Sequence, residues 1–196
     1  MNDRTFKHTE AHKLEDPERL KWLPPADVLA RLELREGMRV ADVGAGTGYF
    51  SIPVARAIGA SGRVFAVDLQ SEMLDRMREK LEEPNAPENI SLHQGEATSL
   101  PLQPGSVDIV FYANIWHELD DHLAAFRETS RIAVPGGTIA ILDWREDMSP
   151  PPGPPQDHRV PVATVANFLR VNGCNSVLRD TVGQFGYMVT ARLPLQ

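Results

Sequence analysis

The stretch VADVGAGTGYF, Val40 to Phe50, constrains the chain more than any other. Gly44, Gly46 and Gly48 stand two apart, after a short apolar run, and Val54, Ala57 and Ile58 follow at helical spacing before Gly59. A strand, a glycine turn and a helix in this order open a βαβ unit, and the turn falls where such sheets bind ligands, beyond the carboxyl end of the strand. A P-loop requires Gly-Lys-Ser/Thr after its glycines, and GTGYF has no lysine. The dinucleotide fingerprint is G-x-G-x-x-G. Gly44 and Gly46 fit its first two places, but the third falls on Tyr49, whose bulk stands where a pyrophosphate needs close backbone approach. The G-x-G-x-G spacing therefore favours a ligand with a nucleoside and no diphosphate.

The rest of the chain repeats the alternation. RVFAVDL, ISLHQGEA, SVDIVFYAN and GTIAILDW are the next strand candidates. Between them lie helical patterns carrying Leu74, Met77 and Leu81, then Leu119, Leu123 and Phe126. After the SPPPGPP break, Val162, Val165, Ala166 and Leu169 mark another helix, and Val177–Thr181 and FGYMVTARL supply two more strands. Such alternation predicts a mainly parallel sheet with helices on both faces. With 196 residues, 42% of them apolar, one soluble domain with a sizeable core is expected. A net charge of −7 disfavours nucleic acid as partner. No apolar run approaches the roughly 18 residues of a membrane span, and the start shows no apolar secretory segment, so a cytoplasmic protein is expected. Cys174 is the one cysteine, which excludes an intramolecular disulfide and a multi-cysteine metal site.

Asp68 ends the second strand, where a carboxylate reaches both hydroxyls of a ribose. Its alternative role is a cap on the helix from Ser71. An acid at this place repels a 2′-phosphate, and no Tyr-x-x-x-Lys pair of a short-chain dehydrogenase occurs in the chain. VADVGAGTGYFSIPVA, VFAVDLQSEML, GEATSLPL, DIVFYANIWHEL and RIAVPGGTIAILDW stand in the order found in the class I S-adenosylmethionine-dependent methyltransferases. The chain resembles that family from about Leu14 to Leu193, and is most similar to small prokaryotic members of the quinone-biosynthesis type.

The resemblance implies a Rossmann-like α/β fold of seven strands, mainly parallel with the last antiparallel, and S-adenosylmethionine as cofactor. By position, Asp42 and the backbone at Gly44 and Gly46 would face the methionine part, with Tyr49 in the same turn. Asp68 would hold the ribose, Leu69 would pack on adenine, and Glu96 with the backbone of Ala97 would meet the adenine amino group. Asn114 would help hold the aminoacyl end. For Glu96 the alternative is an exposed loop acid; relatives often carry the shorter aspartate there.

The reaction implied is transfer of a methyl group to a small-molecule acceptor by in-line displacement. Alignment and exclusion of water carry most of such a step, and a base is needed only for a protonated acceptor. His117, after the fourth strand, is the best-placed base; its alternative is packing or capping of the next helix. Asp143, ending the fifth strand beside Trp144, would orient an acceptor or simply brace a turn. His158 with Arg159 would meet an anionic or phenolic acceptor, or form a solvated loop pair. His93 and His122 belong to no constellation, and no compact ligand spacing supports a metal among His8, His12, His117 and His158. Two pieces outside the alternating core, residues 1–23 and the proline-rich loop from Arg145 to Arg159, are expected to roof the site of a methyltransferase domain spanning 24–196. Pro150, Pro151, Pro152, Pro154 and Pro155 would stiffen that loop. A non-catalytic cofactor-binding adaptor and a nicotinamide-dependent oxidoreductase are the competing functions. The acceptor's identity and the oligomeric state stay open.

Overall fold

The computed structural model of the chain describes residues 5–148 and 153–195. Its seven strands are β1 (Arg39–Val43), β2 (Arg63–Asp68), β3 (Ile90–Gln94), β4 (Val107–Ala113), β5 (Ala133–Trp144), β6 (Asn175–Val182) and β7 (Gly186–Arg192). They form one sheet in the order β3-β2-β1-β4-β5-β7-β6. β1, β2, β3, β4 and β5 run parallel to one another, and β7 runs antiparallel to both β5 and β6. The last strand is thus the reversed one, as expected. The chain winds outward from β1 to β3 and returns to β4 on the other side of β1. That reversal leaves a crevice between the carboxyl ends of β1 and β4, the usual ligand position in open α/β sheets.

Helices cover both faces. On one lie α2 (Pro25–Leu29), α3 (Ser51–Ala57) and α4 (Ser71–Leu81); on the other, α5 (His122–Ile132) and α6 (Val162–Val171). Adjacent residues on a strand face opposite ways, so Phe111 packs with Val54 and Ile58 while Tyr112 packs with Phe126, Val165 and Leu169. Burial on both faces explains why β1, β4 and β5 read as near-continuous apolar runs. No described helix is long and apolar enough to cross a membrane.

One local expectation needs correction. Leu119 precedes α5 and Leu123 is exposed, so neither anchors that helix as its spacing suggests. The helix starts later because the Asp121 side chain accepts from Ala124 N at 2.8 Å and caps it. The N-terminal segment, for its part, has short regular pieces: a 3-10 stretch over His8–Leu14 and α1 (Arg19–Trp22). It packs on the domain, with Ala11 and Leu23 buried, and Gln184 N donates to Trp22 O at 2.8 Å.

Candidate active site

A cleft of about 1470 Å³ opens along the carboxyl ends of β1, β2 and β4 and reaches the end of β5. Its size exceeds the range of about 300–1,000 Å³ usual for a single small ligand, so it has room for two. Asp42, Gly44, Gly46, Tyr49, Asp68, Leu69, Glu96, Ala97, Asn114, His117 and His158 all line it. Residues separated by up to 116 positions in sequence are therefore brought to one edge of the sheet.

The glycine turn begins the site. Gly44 has φ +76°, and a Cβ there would lie 2.6 Å from the Ile115 side chain. Only glycine lets the turn pass beneath the loop after β4. Asp42, at the end of β1, is buried. Its Oδ2 accepts from Ser51 Oγ at 2.5 Å, while its Oδ1 has no partner. Burial pushes its carboxyl up to about 6, against the ordinary 3.8, because the charged form is deprived of water. Asp68 is also buried. One oxygen accepts from Gly46 N at 2.8 Å and the other from Gln70 N at 2.9 Å. Desolvation raises its pKa, and these backbone donors work against the rise. Asp68 thus ties the turn to β2, which goes beyond capping the next helix.

Leu69 stays exposed in the cleft and offers an apolar face. Glu96 is exposed in the loop after β3, paired by backbone with Ser99. Asn114 adopts φ +58°, a conformation uncommon outside glycine and best tolerated by Asn. Tyr49 lines the cleft and also makes a second set of contacts. Its hydroxyl donates to Leu23 O at 2.7 Å and its ring lies 4.0 Å below the Arg19 guanidinium, so it anchors the N-terminal segment to the turn.

The substrate-side candidates fall into two sets. His117 and Asp143 come together: Asp143 accepts from His117 N at 2.8 Å and from His117 Nδ1 at 2.7 Å, and also from Trp144 N at 2.9 Å. A carboxylate only accepts, so the ring proton sits on Nδ1 and Nε2 is the basic atom. Burial opposes the imidazolium, but the hydrogen bond and charge of Asp143 outweigh it and raise the His117 pKa above 6.5. Asp143 itself is not in the cleft lining; it is bonded to His117, which is. Beside them is Glu118, which sequence reading passed over although it adjoins His117. It is half-buried, with Oε1 3.9 Å from His117 Nε2, and desolvation pushes it up to about 7.

His158 and Arg159 do not act as a pair. His158 lines the cleft, but the Arg159 guanidinium donates to the carbonyls of Arg145, Met148 and Pro154. That geometry staples the loop and leaves Arg159 no part in holding an acceptor. His122 stacks on Trp116, His93 bonds Ser91, and Cys174 is a small buried residue whose thiol burial pushes up to about 11. Among the described residues no group of three or more His, Cys, Asp or Glu is placed to hold a metal.

The N-terminal segment closes one side of the cleft. The Gln70 side chain donates to Phe6 O at 2.8 Å and accepts from His8 N at 2.9 Å. Trp22 meets Trp144 with ring centroids 5.5 Å apart, and Gly153 lies against the Trp144 indole, where a Cβ would sit 2.7 Å from the ring. Of the prolines expected to stiffen the loop, Pro150, Pro151 and Pro152 lie outside the described residues.

The methyltransferase domain family matches residues 40–137. The demethylmenaquinone methyltransferase of Staphylococcus aureus (strain MRSA252) is 32% identical over 123 residues, covering 63% of this chain and 50% of that protein. The chain thus spans about half the length of the curated relatives it matches. A crystal structure of a SAM-dependent methyltransferase from Aquifex aeolicus superposes with a TM-score of 0.89 and 32% identity, covering 96% of this chain and all of that one. The Haemonchus contortus phosphoethanolamine N-methyltransferase 2, solved with S-adenosyl-L-methionine, shares the fold with a TM-score of 0.77 at 14% identity, over 98% of this chain and 59% of that one.

Proposed function

We propose that this chain, which belongs to the methyltransferase domain family, is an S-adenosylmethionine-dependent methyltransferase whose cleft takes a small aromatic acceptor with an ionisable hydroxyl, of the quinol class, and that His117 removes the hydroxyl proton. The observation that carries this reading is the buried Asp143–His117 pair at the cleft. A sulfonium donor needs no base for an acceptor that is already nucleophilic. A histidine held in one tautomer by a buried carboxylate suits an acceptor that must first lose a proton. Phe6, Trp22, Ile115, Leu119 and Trp144 line the cleft and offer an apolar, ring-sized surface. The quinol class agrees with the name of the S. aureus relative.

The residues present fit the cofactor. The unpartnered Asp42 Oδ1 suits the amine of its methionine end, together with Gly44, Gly46 and Asn114. Asp68 would accept from the ribose hydroxyls, exposed Leu69 would take one face of adenine, and Glu96 with Ala97 the adenine amino group. When bound, S-adenosylmethionine supplies a methyl group on a positively charged sulfur, activated for in-line displacement. The protein's own part is to align the acceptor, hold its proton at His117 Nε2 and keep water out. Residues 5–23 and 153–159 would form the roof, the first clasped by Gln70, with Trp22 and Gly153 both lying against Trp144.

Anaerobic incubation of the purified chain with S-adenosylmethionine and reduced demethylmenaquinone tests the proposal. The expected product is a quinol heavier by one methylene, formed by the wild type and lost in His117→Ala. An unchanged quinol, from protein that binds S-adenosylhomocysteine normally, would refute the acceptor class.

A further inference from the structure

Arg19 is a buried cation with no anion paired to it among the described residues. It sits in α1, is 6% exposed, and lines the cleft. Its Nη1 donates to Leu14 O at 3.2 Å, its guanidinium stacks 4.0 Å from the Tyr49 ring, and its Nε has no partner. Among the described residues no carboxylate forms an ion pair with it. Burial lowers its pKa to about 10, which still leaves it charged at neutral pH. A buried charge without a partner is costly and is kept where a ligand completes it. The other cations of the lining, Lys7 and Lys13, are exposed, and Lys13 is paired with Glu10.

A second orphan lies in the same cleft. The buried Asp42 Oδ1 lacks a donor. The two groups flank the glycine turn: Asp42 lies two residues before Gly44, and Arg19 rests on Tyr49, one residue after Gly48. Leu14, whose carbonyl Arg19 holds, stands 3.4 Å from where a Cβ on Gly46 would be. One opposite-charge pair on a ligand, an amine and a carboxylate, would satisfy both orphans together.

We infer that Arg19 binds the α-carboxylate at the methionine end of S-adenosylmethionine, with Asp42 on the amine; the assignment rests on the cofactor reading above. It makes the N-terminal segment part of the cofactor site. Binding would then tie this segment down through a charge-assisted hydrogen bond, the stronger kind.

Calorimetry on the full chain with two probes tests this: S-adenosylhomocysteine, and its decarboxylated analogue, which keeps the amine and the thioether. The wild type should bind the analogue about tenfold to a hundredfold more weakly. Arg19→Gln should weaken S-adenosylhomocysteine by a similar factor and leave the analogue within about twofold of wild type. Arg19→Lys should recover part of the loss. Equal weakening of both probes, or of neither, would overturn the assignment. If Arg19→Gln does not fold, the wild type decides: less than about twofold discrimination between the probes would overturn it. Failure of the wild type to bind S-adenosylhomocysteine at all would instead overturn the cofactor reading, and this inference with it.

Discussion

Replacing Asp42 by Asn removes a buried carboxylate that the free protein holds at a cost. Its folded pKa of about 6, against an ordinary 3.8, means that the native state keeps the proton to higher pH than the unfolded chain does. Stability from this group is therefore fully present below the unfolded value and is lost as pH rises through about 6. At about 1.4 kcal/mol per pKa unit, the full loss is about 3 kcal/mol, roughly half of it between pH 5 and pH 8. Urea unfolding of wild type and Asp42→Asn, without ligand, reads this directly. Asn leaves a buried N–H₂ in place of Oδ1, a penalty of about 1–3 kcal/mol that does not vary with pH. The stability difference, variant minus wild type, should thus rise by about 1.5 kcal/mol from pH 5 to pH 8, whatever its starting sign. Taking the difference cancels the titrations of His117 and Glu118. Parallel pH curves would refute the reasoning, because they would mean that Asp42 ionises as freely folded as unfolded. The same variant should bind S-adenosylhomocysteine about tenfold to a hundredfold more weakly, since the orphaned oxygen is the one proposed to take the amine.

Three further outcomes are expected. Asp143→Asn should lower methyl transfer by about tenfold to a hundredfold with cofactor affinity unchanged, and shift the rising limb of the rate against pH downward, as His117 loses the charge that raises its pKa; an unmoved limb would show that His117 is not the base. Asp68→Ala should weaken S-adenosylhomocysteine by about tenfold to a hundredfold without unfolding the domain, read by calorimetry and circular dichroism, and wild-type affinity would place the ribose elsewhere. Removing residues 1–21 should leave a folded core with weakened cofactor binding and little methyl transfer; full turnover by the shortened chain would exclude the segment as a roof.

Much of the architecture was legible in local pattern. Strands buried on both faces show as apolar runs, and the spacing of Gly44, Gly46 and Gly48 marked the ligand edge, because turn geometry is set by a few adjacent residues. Alternation in sequence also pointed to the winding that opens the crevice between β1 and β4. What depended on distant partners was less visible. His117 and Asp143 each stood out singly, but their bond rests on how β4 and β5 align, with Ala113 opposite Leu142. Glu118 reads as an ordinary surface acid until the fold half-buries it beside His117. Arg19 lies in a charged segment that looks solvated, and only the Tyr49 ring and the Leu14 carbonyl reveal its burial. Arg159 misled for the opposite reason: its guanidinium serves loop carbonyls that sequence spacing does not announce.

The most direct test of the whole account follows a labelled methyl group. The purified chain, S-adenosylmethionine carrying an isotopic methyl and a reduced small-metabolite extract are incubated together, and every compound that gains label is identified. The account predicts label in an aromatic small molecule with a free hydroxyl in its demethylated form, dependent on His117. Label in no small molecule, from protein that binds the cofactor, would contradict it and leave a cleft that holds its ligand without using it.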